Sequence, residues 1–253
     1  MPTLPQKRIS GASSRLLDQR ICDFQLDLWD TPMAKPVDRL FDELKQKGLE
    51  HFHPVIYLGD EWFSPGGVPA IAIPFYLADP KLTALEKRFI GEAEGDKPSL
   101  FMRLLRHECG HSFDHAYGVS GTSEWKGLFG DKRRKYTPDH YHAEPHSRDF
   151  VHHLADFYAQ SHPEEDFAET FAVWLDPRSQ WRQKYRYWAG ALQKLEYIEK
   201  ISQHYGPKKP RKNAGGPDPL AFQAARMRRT LRSYFAEKLA AQAHEFRGTP
   251  HPG

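Results

Sequence analysis

The residues most able to do chemistry lie together at His107-Glu108-Cys109-Gly110-His111. In a helix, positions i and i+4 stack one turn apart on one face. His107 and His111 could then offer two imidazole nitrogens to one metal ion, with the Glu108 carboxylate in reach of a metal-held water. This is the His-Glu-x-x-His pattern of zinc proteases, in which the carboxylate acts as general base. A surface helix with two solvated histidines would carry the same letters. The surroundings argue against it, because Leu100, Leu104, Leu105, Phe113 and Ala116 recur at three- and four-residue steps. A helix over 99–117 follows, with Ser99 as N-cap and Gly118 as stop.

A hydrolytic zinc site takes three protein ligands and keeps one position open. His115 is a candidate third ligand, but it lies about two turns from His107 and rotated away. Tyr117 stands where the metzincin spacing would need a histidine. A carboxylate helix downstream offers a better source. Glu165 and Glu169 are spaced i, i+4, so one can bind the metal while the other accepts a hydrogen bond from a ligand histidine.

The elements that must position these groups read as α+β: a small sheet with an edge strand packed on the active-site helix, then a mostly helical C-terminal half. Cys22, Phe24, Leu26 and Leu28 alternate with polar residues and predict a strand. Val37, Leu40, Phe41 and Leu44 predict an amphipathic helix stopped at Gly48. Strands over 53–58 and 70–77 flank a turn-rich connection at 59–67. Pro74 lacks an N–H and places the second of them on an edge, either open to an extended peptide or an ordinary sheet margin. A short helix is expected over 81–92. Residues 118–146 read as a long polar loop holding Lys132, Arg133, Arg134, Lys135, His140, His142 and His146, without metal-ligand spacing. Residues 148–159 read as helical. Ser161 and Glu164 fit a capping box with Pro163 in the first turn, opening a helix whose apolar face is Phe167, Phe171 and Trp174. Trp181 through Ile201 read as one long packing helix. The expected division is a loose 1–14, a domain over 15–203, a basic Pro/Gly linker over 204–219, and a C-terminal amphipathic helix and tail over 220–253.

With 253 residues, 39% hydrophobic and 27% charged, the chain suits a folded globular protein. A net charge of +3 is too mild to imply a nucleic-acid partner by itself. Cys22 and Cys109 make no disulfide framework. No apolar run is long enough to span a membrane, and the N-terminus has no apolar core of a secretion signal, so a cytoplasmic location is expected. Two function classes follow. One is a zinc peptidase acting on a peptide or protein. The other is a non-catalytic, zinc-stabilised binding protein, associated with nucleic acid through residues 207–232, where Lys208, Lys209, Arg211 and Lys212 precede Arg226, Arg228, Arg229 and Arg232.

His107-Glu-Cys-Gly-His111, the Gly67-Val-Pro69 lead into Ile73-Pro-Phe-Tyr-Leu77, and Tyr158-Ala-Gln-Ser-His-Pro-Glu-Glu-Asp-Phe-Ala-Glu169-Thr-Phe together resemble the bacterial family of putative zinc-binding metallopeptidases, from about residue 15 to about 203. The first motif is generic and the last is much more specific. The arrangement is also similar to the catalytic domain of lethal-factor-type toxins, where a tyrosine seven residues before the ligand glutamate helps stabilise the oxyanion. Tyr158 is seven residues before Glu165. The resemblance implies a zincin-like fold with a gluzincin-like site: Zn²⁺ on His107, His111 and Glu165, Glu108 as base, Tyr158 as oxyanion donor, and Glu169 orienting a histidine. Glu165 is preferred to Glu164 because a capping box would turn Glu164 back to the start of its helix, and because its i+4 partner is Ala168.

Overall fold

The computed structural model describes residues 11–136, 141–210 and 218–248. Along the chain run α1 (Gly11–Leu17), α2 (Ala34–Gln46), β1 (Val55–Gly59), β2 (Ala70–Pro74), α3 (Pro80–Ile90), α4 (Pro98–Tyr117), α5 (Ser123–Phe129), α6 (Pro163–Leu175), α7 (Trp181–Lys184), α8 (Ala189–Tyr205) and α9 (Leu231–Gly248). Helices dominate. The two strands pair in parallel with Val55 opposite Ala70 and Gly59 opposite Pro74, in keeping with the α+β expectation.

The centre is α4. Phe101, Leu104, Leu105, Cys109, Phe113 and Ala116 are buried along it, as their helical spacing requires. It starts one residue before Ser99, with Lys97 as an N-cap that makes no side-chain bond and Pro98 in the first turn. It stops at Gly118, which adopts φ 67° and donates its N–H to Asp114 O, a conformation glycine reaches without steric cost. One face of α4 is tied to α2 by Arg106. This buried guanidinium forks onto both Glu43 oxygens at 2.7 Å and reaches Asp176 at 2.9 Å. One turn on, at Gly110, α4 meets α6 at very short range. A Cβ on Gly110 would lie 2.8 Å from Ala168 Cα, so only glycine lets the two backbones approach this closely.

Several local expectations give way to tertiary partners. Residues 22–28 form no strand. They are 3-10 turns at Ile21–Phe24 and Leu28–Asp30, separated by Gln25 at φ 50°. The alternating burial is present, but Ile21 and Cys22 give their N–H groups to Arg229 O and Met227 O near the C-terminus, and no ladder continues. The third expected strand ends at Pro74 and becomes a 3-10 turn at Phe75–Ala78. Its outer edge is not open to a peptide: Ala72 donates to Phe63 O at 2.8 Å and Ser64 Oγ donates to Ala70 O at 2.8 Å. The 59–67 connection therefore folds back over β2. The 118–146 segment holds α5, capped by Thr122 Oγ1 on the Trp125 N–H, because Trp125 and Phe129 have a core to enter.

Residues 148–159 are not an α-helix. Leu154 gives its N–H to Glu169 and His152 gives its N–H to the Tyr185 hydroxyl, so the segment is held extended. A 3-10 stretch follows at Ala155–Gln160, with Asp156 and Phe157 in left-handed conformation. The N-cap of α6 is His162, whose Nδ1 accepts the Glu164 N–H. Ser161 instead donates to Tyr158 O at 2.7 Å. The single helix expected over 181–201 is broken between α7 and α8, where Tyr185 is fully buried. The last helix begins at Leu231, not near 220, after a 3-10 turn at Ala224–Arg226. Leu231, Tyr234 and Phe235 are buried in the same core as α4, and Phe235 packs on Phe89 with ring centres 4.8 Å apart. Residues 1–10, His140 and the linker stretch 211–217 with Arg211 and Lys212 lie outside the described residues.

Candidate metal centre

The close contact at Gly110 sets the inner faces of α4 and α6 together, and the site forms where they meet. His107 and His111 project from α4 with Nε2 atoms 3.2 Å apart. Glu165, in the first turns of α6, places Oε2 at 3.1 Å from His107 Nε2 and 3.2 Å from His111 Nε2. Among the described residues these three make the one group of His, Cys, Asp or Glu side chains placed to share an ion. His115 is not in it. Its Nδ1 meets Ser64 Oγ at 3.2 Å, and burial first, then His111, pushes its pKa down to about 4.

The donor set fits zinc. Bonds of about 2.0–2.1 Å in a tetrahedron imply ligand–ligand separations of about 3.3–3.4 Å. The observed triangle has sides of 3.1, 3.2 and 3.2 Å. Two imidazoles and one carboxylate are borderline ligands of the kind zinc takes in hydrolytic sites.

Glu169 lies one turn beyond Glu165 and is wholly buried. Its Oε1 accepts from His107 Nδ1 at 2.9 Å and its Oε2 accepts from the Leu154 N–H at 2.7 Å. The proton held on Nδ1 leaves His107 Nε2 as the lone-pair atom facing the triangle. Glu164 lines the same cleft but stands outside the triangle. Its carboxylate lies 3.6 Å from His162 Nδ1 and is 42% exposed, so it does turn back toward the helix start, with His162 there in place of Ser161.

The charges are mutually tuned. Burial alone would keep His107 and His111 neutral, but Glu165, with Glu169 at His107, raises both above the usual histidine value. Burial opposes the Glu165 carboxylate too, and the two imidazoles outweigh it and hold its pKa below the carboxylate range. A cation arriving there displaces protons from the rings and takes their place as the counter-charge. Glu108 behaves differently: burial dominates and pushes its carboxyl upward, against the pull of His107 and His111. A carboxyl raised toward neutrality suits proton transfer.

All of these groups except Glu169 line one open cleft of about 430 Å³, with Trp62, Ser64 and Trp125 among its walls. Tyr158 lies in it, its ring centre 5.8 Å from that of His107. Two left-handed residues, Asp156 and Phe157 at φ 54° and 57°, immediately precede it. Such strain persists only where surrounding contacts over-determine it. Here Asp156 O accepts from the Tyr141 hydroxyl and Phe157 packs on His152. The cleft also contains Tyr136, which sequence reasoning did not single out. Its hydroxyl lies 2.8 Å from that of Tyr158, and burial followed by Glu165 pushes its pKa up to about 12. Only its place in a long polar segment next to the site could have drawn notice.

Two helices joined face to face bring together a largely buried His-His-Glu triangle able to hold a metal ion, with the Glu108 carboxyl in the same cleft. Residues 100–187, which contain His107 through Glu169, match the family model of the putative zinc-binding metallo-peptidases. No curated protein and no solved structure matches the chain. No helix among the described residues is long and apolar enough to cross a membrane.

Proposed function

We propose that the protein is a zinc-dependent metallopeptidase with a zincin-like catalytic fold, acting on a peptide or protein substrate. The observation that carries this reading is the His107–His111–Glu165 triangle with Glu108 in the same cleft. Those three side chains would hold Zn²⁺, which supplies Lewis-acid polarisation and acidifies water toward a pKa of ~7. Glu108 accepts the proton of the attacking water and delivers it to the leaving amine. Glu169 keeps His107 in the Nδ1–H tautomer, so that Nε2 faces the ion. Tyr158 donates a hydrogen bond from its hydroxyl to the oxyanion that develops on the scissile carbonyl. A donor of this kind is worth roughly 3–4 kcal/mol of barrier.

The test is metal content measured together with hydrolysis of a mixed fluorogenic peptide library. Glu108→Gln should keep one zinc per chain and lose at least a hundredfold in kcat, since it removes the base and no ligand. Substantial hydrolysis by Glu108→Gln would end the peptidase reading. Full zinc occupancy in a protein that cleaves nothing would favour the non-catalytic, zinc-stabilised alternative. The nucleic-acid version of that alternative draws little support from the surface. Arg226 pairs with Asp218, Arg229 with Asp60 and Glu237, and Arg232 with Asp18, which leaves fewer free cations for phosphate.

A further inference from the structure

Tyr136 reaches the cleft from a loop that has no obvious reason to hold it there. It is 49% exposed, so burial of its ring does not account for its position. Three contacts do. Gly130 ends α5 at φ 107° and turns the chain back toward α6. His162, the N-cap of α6, accepts the Glu164 N–H on Nδ1 and therefore carries its proton on Nε2, from which it donates to Arg134 O at 3.0 Å. The Tyr136 ring then stands edge-on to the His162 ring, with centres 5.3 Å apart and planes at 78°, a favoured aromatic geometry. One histidine thus caps the helix that carries Glu165 and clips the arm that carries Tyr136. At the end of that arm the phenol meets the Tyr158 hydroxyl at 2.8 Å. The Glu165 carboxylate also faces this phenol, and because only its Oε2 stands against the two histidines, it competes with Tyr158 for the Tyr136 proton.

We propose that Tyr136 is a positioning residue for the reaction, holding the Tyr158 hydroxyl at the cleft wall and donating to it when Tyr158 donates to substrate. This rests on the peptidase reading and on Tyr158 as the oxyanion donor. A phenol has one proton and two lone pairs. Once Tyr158 turns its proton toward the developing oxyanion, its oxygen is free to accept, and Tyr136 is the group within reach. Accepting a bond strengthens the outgoing one, since successive hydrogen bonds polarise each other. The link also restricts the Tyr158 side chain before substrate arrives, which lowers the ordering cost of the transition state. The bond order is Tyr136 O–H to Tyr158 O, then Tyr158 O–H to the oxyanion. No proton leaves either phenol.

The experiment is a double-mutant cycle on the zinc-loaded full chain with Tyr136→Phe, Tyr158→Phe and the pair. Each change removes one oxygen and keeps the ring, so His162 and the arm retain their packing. Two quantities are read: kcat and KM on the fluorogenic peptide library, and affinity for a phosphinic peptide, whose anionic oxygen imitates the oxyanion. Tyr136→Phe should lower kcat about five- to tenfold, the share of one neutral hydrogen bond, with KM and zinc content unchanged. It should weaken the phosphinic peptide by a similar factor. In the Tyr158→Phe background the same change should do nothing further to either quantity. Equal losses in both backgrounds would overturn the proposal, because Tyr136 would then act without Tyr158. So would a kcat and a phosphinic-peptide affinity within twofold of wild type in Tyr136→Phe. Glu108→Gln, assayed beside these variants, separates the two levels: its retained hydrolysis would refute the peptidase reading itself.

Discussion

Replacing one oxygen of Glu169 by an amide nitrogen should weaken zinc binding while leaving the fold intact. Glu169 serves two donors at once, His107 Nδ1–H at 2.9 Å and the Leu154 N–H at 2.7 Å. Glutamine offers a single acceptor oxygen. If that oxygen stays on Leu154, the amide N–H₂ faces His107 Nδ1, and the ring satisfies it by moving its own proton to Nε2. Nε2 is the atom 3.1 Å from Glu165 and 3.2 Å from His111, so the tautomer that suits the new amide is the one that cannot ligate. To bind metal, His107 must set two donors against each other, or the amide must flip and leave the Leu154 N–H unpaired. Either costs about 1–3 kcal/mol, which is about 5- to 150-fold in zinc affinity. That range overlaps the roughly 10- to 100-fold typical for partners of ligand histidines. The assay is zinc competition against a chromophoric chelator, with the melting temperature of the metal-free protein as control. Glu164→Gln, at an exposed neighbour, should stay within threefold of wild type. Zinc affinity in Glu169→Gln within threefold of wild type, at unchanged stability, would refute the tautomer reasoning.

Glu165→Ala removes a donor from the triangle and should cost more zinc affinity than Glu169→Gln in the same titration; the reverse order would displace Glu165 as a ligand. Gly110→Ala puts a methyl 2.8 Å from Ala168 Cα and 3.1 Å from Ala168 O, backbone atoms that cannot swing aside. Overpacking of this kind costs about 1–3 kcal/mol, so denaturant melts should show a net loss despite alanine's helix preference, and zinc affinity should fall with the parting of α4 and α6. Lys194 reaches the buried Asp166 carboxylate at 2.6 Å, and burial still pushes the Asp166 pKa up to about 7 despite this cation. Lys194→Met should destabilise the metal-free protein at pH 8, with a pH-dependent part of up to about 1.4 kcal/mol, the cost of protonating a carboxyl one unit above its pKa. Because the folded-state pKa of Asp166 then rises further above its unfolded value, the penalty should shrink at pH 5.5, where the carboxyl takes a proton; an equal penalty at both values would refute the assignment.

The parts of the site carried by local periodicity are legible in the sequence alone. The three- and four-residue apolar steps place His107 and His111 on one helix, and Gly118 ends it. The i, i+4 spacing of Glu165 and Glu169 puts both carboxylates on one face of α6. What periodicity does not encode is which distant group claims a given donor or acceptor. Ser161 has the right chemistry for an N-cap, but Tyr158 O takes its hydroxyl and His162 caps the helix instead. Cys22 through Leu28 do alternate in burial, yet Ile21 and Cys22 bond to the 227–229 segment, a partner some two hundred residues away in sequence. Tyr136 sits in a loop where no spacing rule applies, and it is placed by His162.

Gly110 shows how narrow the margin is between reading a motif and reading a site. In the pattern His-Glu-x-x-His the two middle letters are free, since neither is asked to do chemistry. In this fold the second of them must lack a side chain, because Ala168 backbone atoms occupy the space a Cβ would need. The triangle of 3.1–3.2 Å sides spans two helices, and its third vertex comes only as close as that contact allows. The histidines carry the ligand chemistry, and the glycine between them sets the distance at which Glu165 can join it.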